Sequence, residues 1–212
     1  MITIKTFVFN ALQENTYVVY DETKDCIIID PGCYEPVEKE ELVSFIKLND
    51  LKPTCILNTH CHIDHIVGNQ FVKEYFNIPL FVPEKDAFQI KAASTYAPMY
   101  GFHRFEESIP DGYIEANVNI NFGNSTFSVL QVPGHSPGHV AFYNSVQGFC
   151  INGDVLFKGS FGRYDLPGGD FKVLVNSIRN VMFQLPEETI VFCGHGPSTT
   201  IGYEKKHNPI AG

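Results

Sequence analysis

The stretch Thr59-His60-Cys61-His62-Ile63-Asp64-His65 places four strong metal-binding side chains within six residues. It follows the apolar run Cys55-Ile56-Leu57 and precedes Ile66-Val67-Gly68. Core packing does not require so many imidazoles and carboxylates together. Imidazole is a ligand for zinc, iron, copper and nickel, and an added carboxylate favours zinc or iron. The stretch therefore predicts a metal site at the end of a strand.

The spacing of these donors indicates two ions. In a regular strand, His60, His62 and Asp64 would share one face but stand roughly 6.6 Å apart, because each residue rises about 3.3 Å. Ligands of one ion all lie about 2.0–2.2 Å from it. We therefore expect a tight loop that turns His60 and His62 to one ion. Asp64 and His65, at the start of a helix, would serve a second ion.

Three later segments supply the further donors that two ions need. They are Gly134-His135-Ser136-Pro137-Gly138-His139, Asn152-Gly153-Asp154 and Cys193-Gly194-His195-Gly196. Each follows an apolar, β-branched run and places its donor near glycine, where the backbone can turn sharply. Donors at strand ends converge on one edge of a sheet. We predict His60, His62 and His135 on the first ion, Asp64, His65 and His195 on the second, and Asp154 as a bridge.

The series H-x-H-x-D-H, G-H-S-P-G-H, G-D and G-H resembles the metallo-β-lactamase superfamily. Residues 161–169 (FGRYDLPGG) and 201–209 (IGYEKKHNP) are similar to its glyoxalase II, or hydroxyacylglutathione hydrolase, branch. The resemblance covers nearly the whole chain. It implies an α/β fold, namely a four-layer αββα sandwich, and a binuclear centre of two divalent metal ions, with zinc favoured and iron as the alternative.

The same resemblance implies a thioesterase that hydrolyses S-lactoylglutathione or a related acyl-thioester. A metal-bound hydroxide would attack the thioester carbonyl, with Asp64 orienting the hydroxide and the metals stabilising the oxyanion. Arg163, Tyr164 and Lys158 are the expected contacts to an anionic substrate, although Arg163 can equally brace its own loop. Longer members of the branch carry a C-terminal helical domain that grips glutathione, and we expect this chain to be a short form without it.

Other functions fit parts of the pattern. A β-lactamase of the superfamily usually has cysteine where this chain has Asp154, which disfavours that activity. A persulfide dioxygenase with one iron on two histidines and one aspartate shares the first motif, but it leaves several predicted ligands unused. A hydrolase of another small ester or lactone stays open. A purely structural zinc site would be closed and rich in cysteine. The number and kind of bound ions separates these alternatives.

Composition favours one globular domain over residues 1–212, because a chain of 212 residues with 44% hydrophobic content can bury a large core. A formal net charge of −9 disfavours nucleic acid or an anionic membrane surface as partner. The partner that the resemblance implies is a small-molecule thioester. The N-terminus shows no secretory signal, and six scattered cysteines suggest reduced thiols. We therefore expect a cytoplasmic protein.

Apolar periodicity places the motifs on alternating strands and helices. Strands are expected at residues 2–9, 16–20, 26–30, 54–59, 79–83, 118–122, 125–132, 139–144, 149–151 and 190–193, and helices at 36–49, 67–76, 84–93 and from 171 to before Pro186. The first three strands should pair antiparallel. The strand–helix–strand alternation from Lys52 to Val82 predicts parallel pairing.

Several polar residues near the motifs are expected outside the ligand set. Asp30, at a strand end, should support a ligand through a hydrogen bond rather than act in catalysis. His139 should have a structural hydrogen-bonding role, and His103 should be exposed or hydrogen-bonded. Cys61 and Cys193 should be buried packing residues. The aromatic segment at residues 97–105 is either a wall of the substrate pocket or a cover for the core.

Overall fold

The computed structural model describes residues 1–115 and 118–211, which divide into two compact units. The first unit contains Met1–Ile114 together with Asn121–Ser125, and the second contains Glu115–Ile120 together with Thr126–Gly212. Two six-stranded sheets form the framework of the chain. Among the described residues, no helix has both the length and the apolar character needed to cross a membrane.

The sheet of the first unit follows chain order. Its strands are β1 (Thr3–Phe9), β2 (Glu14–Tyr20), β3 (Asp25–Ile29), β4 (Lys52–Leu57), β5 (Leu80–Pro83) and β6 (Gly112–Ile114). Strands β1 to β3 pair antiparallel, whereas β3 to β6 pair parallel. Short turns can join antiparallel strands, but parallel strands need longer crossovers, here containing helices. The predicted antiparallel opening and the predicted parallel pairing of β4 with β5 are both confirmed.

Helices connect the parallel strands of the first unit. They are α1 (Pro36–Leu48), α2 (Ile63–Ile66), α3 (Asn69–Phe76) and α4 (Ala87–Tyr96), with 3-10 turns at Glu84–Asp86 and Ala97–Tyr100. Helix α1 begins with a capping box between Glu35 and Glu38, and Pro36 occupies its first turn. The Glu38 carboxylate also accepts the backbone N–H of Asn10 at 2.7 Å. This contact fastens the turn between β1 and β2 to the start of α1.

The second large sheet has the order β14-β13-β10-β9-β8-β7. Its strands are β7 (Asn119–Phe122), β8 (Ser125–Gln131), β9 (Val140–Asn144), β10 (Phe149–Gly153), β13 (Ile190–Cys193) and β14 (Thr199–Thr200), and a separate hairpin is formed by β11 (Leu156–Phe157) and β12 (Ser160–Phe161). Strands β8, β9 and β10 pair antiparallel, and β10 pairs parallel with β13. The carboxyl ends of β10 and β13 therefore meet at one edge of the sheet.

Two helices complete the second unit: α5 (Phe171–Asn180) and α6 (Ile201–His207), with a 3-10 turn at Met182–Gln184. Asp170 caps α5, its side chain accepting the Val173 N–H at 3.0 Å. Apolar side chains of α5, including Leu174 and Ile178, share a buried cluster with Cys150 and Val191 of the sheet. In the first unit, α1 and α4 contribute to a separate buried cluster with strands β1 to β5.

The structure differs from the predicted elements where packing overrides local pattern. The helix predicted at 67–76 corresponds to α3 at Asn69–Phe76, and the separate helix α2 precedes it. The break between them falls around Gly68, whose N–H donates to Pro31 O at 2.8 Å and where a Cβ would lie 2.5 Å from that oxygen. The helix predicted at 84–93 starts as a 3-10 turn and continues to Tyr96. The segment from Ser198, for which no element was predicted, contains β14 and α6.

Candidate metal centre

The metal-binding loop of the first unit is a tight turn between β4 and α2, as predicted. The ring centroids of His60 and His62 are 4.7 Å apart, and those of His60 and His65 are 4.2 Å apart. Asp64 and His65 lie within α2, where Asp64 Oδ2 is 3.6 Å from His65 Nε2. No residue of the four is more than 9% exposed. The loop thus gathers four buried donors within one unit.

Asp30 determines which ring nitrogen His60 and His65 present. His65 Nδ1 lies 3.2 Å from Asp30 Oδ2, and since a carboxylate only accepts, Nδ1 carries the hydrogen. Thr59 Oγ1 donates its single proton to Asp30 Oδ2 at 2.6 Å, so it accepts from His60 Nδ1 at 3.0 Å. Both rings keep Nε2 as the lone-pair atom, as expected for ligating histidines held by such partners. The hydrogen-bonding role predicted for Asp30 is therefore observed.

The backbone of Asp30 adopts an uncommon conformation that its neighbours hold. Its φ of 50° lies in the left-handed region, which costs a non-glycine residue about 1–2 kcal/mol. Its Oδ1 accepts the Thr59 N–H at 2.7 Å, and its carbonyl oxygen lies 2.9 Å from Thr16 Oγ1. These bonds offset the conformational cost and hold the carboxylate against the histidine loop.

Asparagine side chains fix the backbone around Asp64 and His65. Asn58 Nδ2 donates to His65 O at 3.0 Å, and Asn69 Nδ2 in turn donates to Asn58 Oδ1 at 2.8 Å. Asn10 Nδ2 donates to Asp64 O at 3.0 Å. Helix α2 has only four residues and is too short to be stable by itself. Tertiary hydrogen bonds therefore orient its two donors.

In the second unit, backbone groups hold His135. It follows Gly134, whose φ of 127° favours glycine and whose added Cβ would lie 2.2 Å from the Leu174 nitrogen of α5. His135 Nδ1 lies 2.7 Å from the carbonyl oxygen of Arg163, so Nδ1 donates and Nε2 keeps its lone pair. The first turn of α5 and the loop after β12 thus set the position of this imidazole.

Asp154 lies between two predicted ligands. Its Oδ2 is 3.6 Å from His135 Nε2 and 3.5 Å from His195 Nε2. Its N–H donates to His139 Nε2 at 3.1 Å, while His139 Nδ1 donates to Val140 O at 3.2 Å. Both ring nitrogens of His139 are therefore engaged, and the structural role predicted for His139 is confirmed.

The turn that carries Asp154 is closely packed. The buried Asn152 side chain accepts the Leu156 N–H at 2.9 Å and donates to Phe192 O at 3.3 Å, which joins the turn to β13. A Cβ on Gly162 would lie 1.8 Å from Asp154 O and 3.1 Å from His135 Nδ1. Only glycine fits at this position without displacing the Asp154 backbone.

The donor separations within each unit suit divalent ions. Two ligands about 2.0–2.2 Å from one tetrahedral ion are roughly 3.3–3.6 Å apart. The pair Asp64–His65 and the two pairs of Asp154 are separated by 3.5–3.6 Å. Donor atoms of Asp30, His60 and His65 also lie within 4.8 Å of one another, but Asp30 already accepts from Thr59 and His65. Imidazole and carboxylate ligands of this kind fit zinc or iron.

The buried acids beside the donors resist ionisation. Burial raises the pKa of the Cys61 thiol well above its usual range, and burial, with Asp154 as a further cause, raises the pKa of Cys193 to about 12. The thiolate is the form that binds metal or attacks as a nucleophile. Both cysteines are fully buried, so the predicted packing role agrees with the structure. Burial likewise raises the pKa of the Glu14 carboxyl well above its usual range, although His65 acts to lower it.

The three predicted substrate contacts lie in the exposed segment from Lys158 to Tyr164. The Arg163 guanidinium binds Asp165 with two contacts of 2.8 and 2.9 Å, which matches the bracing alternative. The Tyr164 ring lies 4.8 Å from that of Phe171, and Lys158 Nζ lies 5.9 Å from the centre of a tyrosine ring in α6. Contact of these side chains with a substrate stays a prediction. The exposed His103 lies outside the donor groups, as expected.

These features define a mixed α/β protein whose strand ends present histidine and aspartate donors for divalent metal ions. The family description "Metallo-beta-lactamase superfamily" matches residues 9–195, and the chain belongs to that superfamily. It is a metal-dependent hydrolase of this class, and its fold is the metallo-β-lactamase fold, as predicted.

Full-length relatives support this assignment. The chain is 34% identical to hydroxyacylglutathione hydrolase GloC of Haemophilus influenzae, over 99% of this chain and 98% of that protein. A crystal structure described as BLEG-1 B3 metallo-beta-lactamase is 38% identical with a TM-score of 0.90, covering 99% of both chains. The structure of TTHA1623 in a di-iron-bound form is 38% identical with a TM-score of 0.86, covering 98% of both chains.

Sequence reasoning identified the donors better than it identified their supports. Thr59 and Asn58 were not singled out, although Thr59 bonds the His60 ring and Asn58 bonds the His65 backbone. Asn152 was not singled out as a brace of the turn that carries Asp154. The strand expected at residues 16–20 leaves out Glu14, which begins β2 and is fully buried. The available signal was a polar residue at the end of an apolar run, such as Asn58 after Ile56-Leu57.

Proposed function

We propose that this protein is a glyoxalase II-like thioesterase that hydrolyses S-lactoylglutathione or a related acyl-thioester. The observation that carries the proposal is the similarity to hydroxyacylglutathione hydrolase GloC, which extends over 99% of this chain. The donor chemistry is consistent with it, because histidine and aspartate ligands suit hydrolytic zinc or iron centres. The di-iron form of TTHA1623 supports iron as an alternative to zinc.

In this proposal, two divalent ions are bound by the ligands predicted from the sequence. His60, His62 and His135 would bind one ion, and Asp64, His65 and His195 would bind the other, with Asp154 as a bridge. Catalytic zinc sites commonly use three protein ligands and keep an open position. The proposed set provides three ligands and a shared aspartate for each ion.

The chain's own residues would serve hydrolysis as follows. When bound, divalent ions polarise a carbonyl and lower the pKa of water to about 7. The Asp64 carboxylate would accept a hydrogen bond from the attacking water or hydroxide and orient it toward the thioester carbonyl. A C–O bond forms and the C–S bond breaks, so the sulfur leaves as a thiolate. Because a free thiol has a pKa of about 8.5, the leaving group needs no proton donor from the protein.

The test is a substrate panel with metal analysis on the same purified sample. We expect two ions per chain and faster turnover of S-lactoylglutathione or acyl-coenzyme A than of oxygen esters. Asp64→Asn should lower kcat/KM by roughly 10²–10⁴-fold, as expected when a positioned proton acceptor is lost. His103→Ala is the matched control, because this exposed histidine lies outside the donor groups. No turnover of any thioester by the two-ion protein would overturn the proposed substrate.

A second candidate is β-lactam hydrolysis, which the 38% identity to a protein described as a B3 metallo-beta-lactamase favours. A chromogenic cephalosporin in the same panel tests it directly. A kcat/KM for the cephalosporin above that for every thioester would establish this candidate instead. One iron per chain with oxygen consumption on glutathione persulfide would favour the dioxygenase alternative.

We further propose a cytoplasmic location, without nucleic-acid or membrane partners. The support is the net charge of −9 and the six free cysteines, five of them buried. Fractionation of native cells tests the location, and thiol labelling of the purified protein under denaturing conditions should find six reduced cysteines.

A further inference from the structure

Glu14 is a buried carboxyl group without an assigned role. It begins β2 in the first unit and is fully buried. Its Oε2 lies 2.8 Å from Thr16 Oγ1, which accepts the Gly32 N–H at 2.8 Å and lies 2.9 Å from Asp30 O. Burying a carboxyl group is costly unless it is hydrogen-bonded. One end of Glu14 is thus fastened to the turn that carries Asp30.

The other end of Glu14 faces a predicted metal ligand. Its Oε1 has no hydrogen-bond partner among residues 1–115 and 118–211, and it lies 3.8 Å from His65 Nδ1. The same nitrogen lies 3.2 Å from Asp30 Oδ2. The Nδ1 edge of this imidazole is therefore enclosed by two buried carboxyl groups, whereas His60 Nδ1 is held by the Thr59 hydroxyl.

The backbone at Gly32 packs closely against the Glu14 carboxyl group. A Cβ on Gly32 would lie 2.1 Å from Glu14 Oε2, 2.7 Å from Asn10 Nδ2 and 2.8 Å from Asp64 O. The turn can approach the carboxyl group this closely only because residue 32 is glycine. Glu14, the Asp30 turn and the backbone of the metal-binding helix therefore form one packed assembly.

We infer that Glu14 is a positioning residue for His65, and that it strengthens binding of the second ion in preference to the first. A buried carboxyl group beside Nδ1–H, here too far at 3.8 Å for a direct hydrogen bond, favours one orientation of the ring and makes Nε2 a more basic ligand through electrostatics. Glu14 faces His65 Nδ1 directly, whereas Thr16 links it only to the backbone of Asp30 and not to the carboxylate that holds Thr59. Its effect should therefore fall chiefly on the ion that His65 binds. The inference rests on the proposed two-ion centre.

Two substitutions of Glu14 separate the effect of its carboxyl group from the effect of its side-chain volume. Glu14→Gln keeps the size and a neutral carbonyl acceptor, whereas Glu14→Met removes the acceptor. Asp21→Asn is the matched control, because Asp21 is a buried carboxylate of the same unit that accepts hydrogen bonds from Thr23, Asn124 and Ser125, none of which is a predicted ligand. Each zinc-loaded protein is analysed for ions per chain, and the two dissociation constants are resolved with a competing chelator.

We expect the second dissociation constant to rise about 10-fold in Glu14→Gln and about 100-fold in Glu14→Met, with the first changed by less than about twofold. The imidazole Nδ1 proton resonance of His65 in the zinc-loaded protein should shift in Glu14→Gln. Asp21→Asn should lower the free energy of unfolding at neutral pH and leave both constants unchanged.

Unchanged ion binding in both Glu14 variants would overturn the inference, as would an equal weakening of both ions. A wild-type protein with a single ion would refute the two-ion centre and this inference with it. Two ions without any thioesterase activity would refute only the proposed substrate and leave the role of Glu14 intact.

Discussion

The two units hold their metal donors by different means. In the first unit, the ring nitrogens of His60 and His65 are fixed by side chains, namely Thr59 and Asp30. In the second unit, His135 donates to a backbone carbonyl, and the Asp154 turn is packed against a glycine. A side-chain support sets the tautomer of the ligand histidine and the charge beside it. A backbone support depends instead on how closely two segments of the chain approach each other.

This difference predicts different kinds of sensitivity. Substitutions that remove a side-chain acceptor should weaken metal binding through the first unit with little effect on its packing. In the second unit, the side chain of Arg163 should matter little to His135, because the support is its carbonyl oxygen, and the damaging changes should be those that add atoms beside the backbone. The following predictions test this contrast.

The largest effect is expected for Gly162→Ala. The new Cβ would lie 1.8 Å from Asp154 O, so the turn must move and take with it the Asp154 carboxylate, which is the proposed bridge. We expect loss of both ions and a decrease of about 3 kcal/mol in the free energy of unfolding, measured by urea titration of the metal-free protein.

The control for that substitution is Gly159→Ala in the same hairpin. Gly159 has φ +70°, but an added Cβ meets nothing within 4 Å. It should cost about 1–2 kcal/mol of stability and leave the ions in place. If Gly162→Ala also retains both ions at wild-type affinity, close backbone packing is not what holds Asp154.

Asp30→Asn should weaken both ions by about 10- to 100-fold, because Asp30 supports His65 directly and His60 through Thr59. Thr59→Val should weaken chiefly the first ion, since it removes only the partner of His60 Nδ1. Chelator titration resolves the two ions. If both substitutions weakened both ions equally, His60 and His65 would not be held by separate hydrogen bonds, one to Thr59 and one to Asp30.

Asp21 provides a side-chain network of the same kind without a metal donor. Burial raises its pKa, but hydrogen bonds from Thr23, Asn124 and Ser125 outweigh burial and lower the pKa from 3.8 to about 2. The folded value is below the unfolded one, so the stabilisation is complete above pH 4 and is lost as the pH falls toward 2. We expect Asp21→Asn to cost about 2 kcal/mol at pH 6 and almost nothing at pH 2.

Urea titrations of both metal-free proteins across that pH range measure this difference. Ion binding at neutral pH should be the same in the two proteins. A stability difference that persists at pH 2 would show that the asparagine disturbs packing rather than a charged hydrogen-bonding network.

The smallest effect on metal binding is expected for Arg163→Ala. Its carbonyl oxygen supports His135 and is unchanged by the substitution, while its exposed guanidinium binds the exposed Asp165. Exposed ion pairs contribute about 0–1 kcal/mol, so stability should hardly change. If the side chain also contacts substrate, KM should rise for anionic thioesters and not for neutral ones. Loss of an ion would contradict the backbone support of His135.

The positions of the donors could be predicted because they depend on local sequence. His60 to His65 follow an apolar strand, and Asp154 and His195 follow two strands that pair in parallel, so their placement at a sheet edge needs only the strand assignment. The supports of the donors could not be predicted, since Asp30 meets His65 across 35 positions of sequence and Arg163 meets His135 across 28. Such contacts exist only once the chain has folded.

Short elements were missed for a related reason. Strands β11, β12 and β14 have two residues each, which is too few to show the alternation that identifies a strand. Helix α6 has one fully buried apolar residue, Ile201, and its other buried anchor is the carboxylate of Glu204, which accepts the Gly159 N–H at 3.0 Å. A helix that is held in place by a buried carboxylate lacks the apolar stripe by which a sequence pattern identifies a helix.

The exposure of His195 has a consequence for the rate at which ions exchange. Its side chain is 28% exposed, whereas those of Asp154 and Asp64 are 11% exposed and those of His65 and His135 at most 2%. A chelator or an incoming ion that attacks a ligand from solution therefore meets His195 first. We expect the ion bound by His195 to leave and reload faster than its partner, so a protein prepared in a mixture of zinc and iron would come to hold different metals in its two sites.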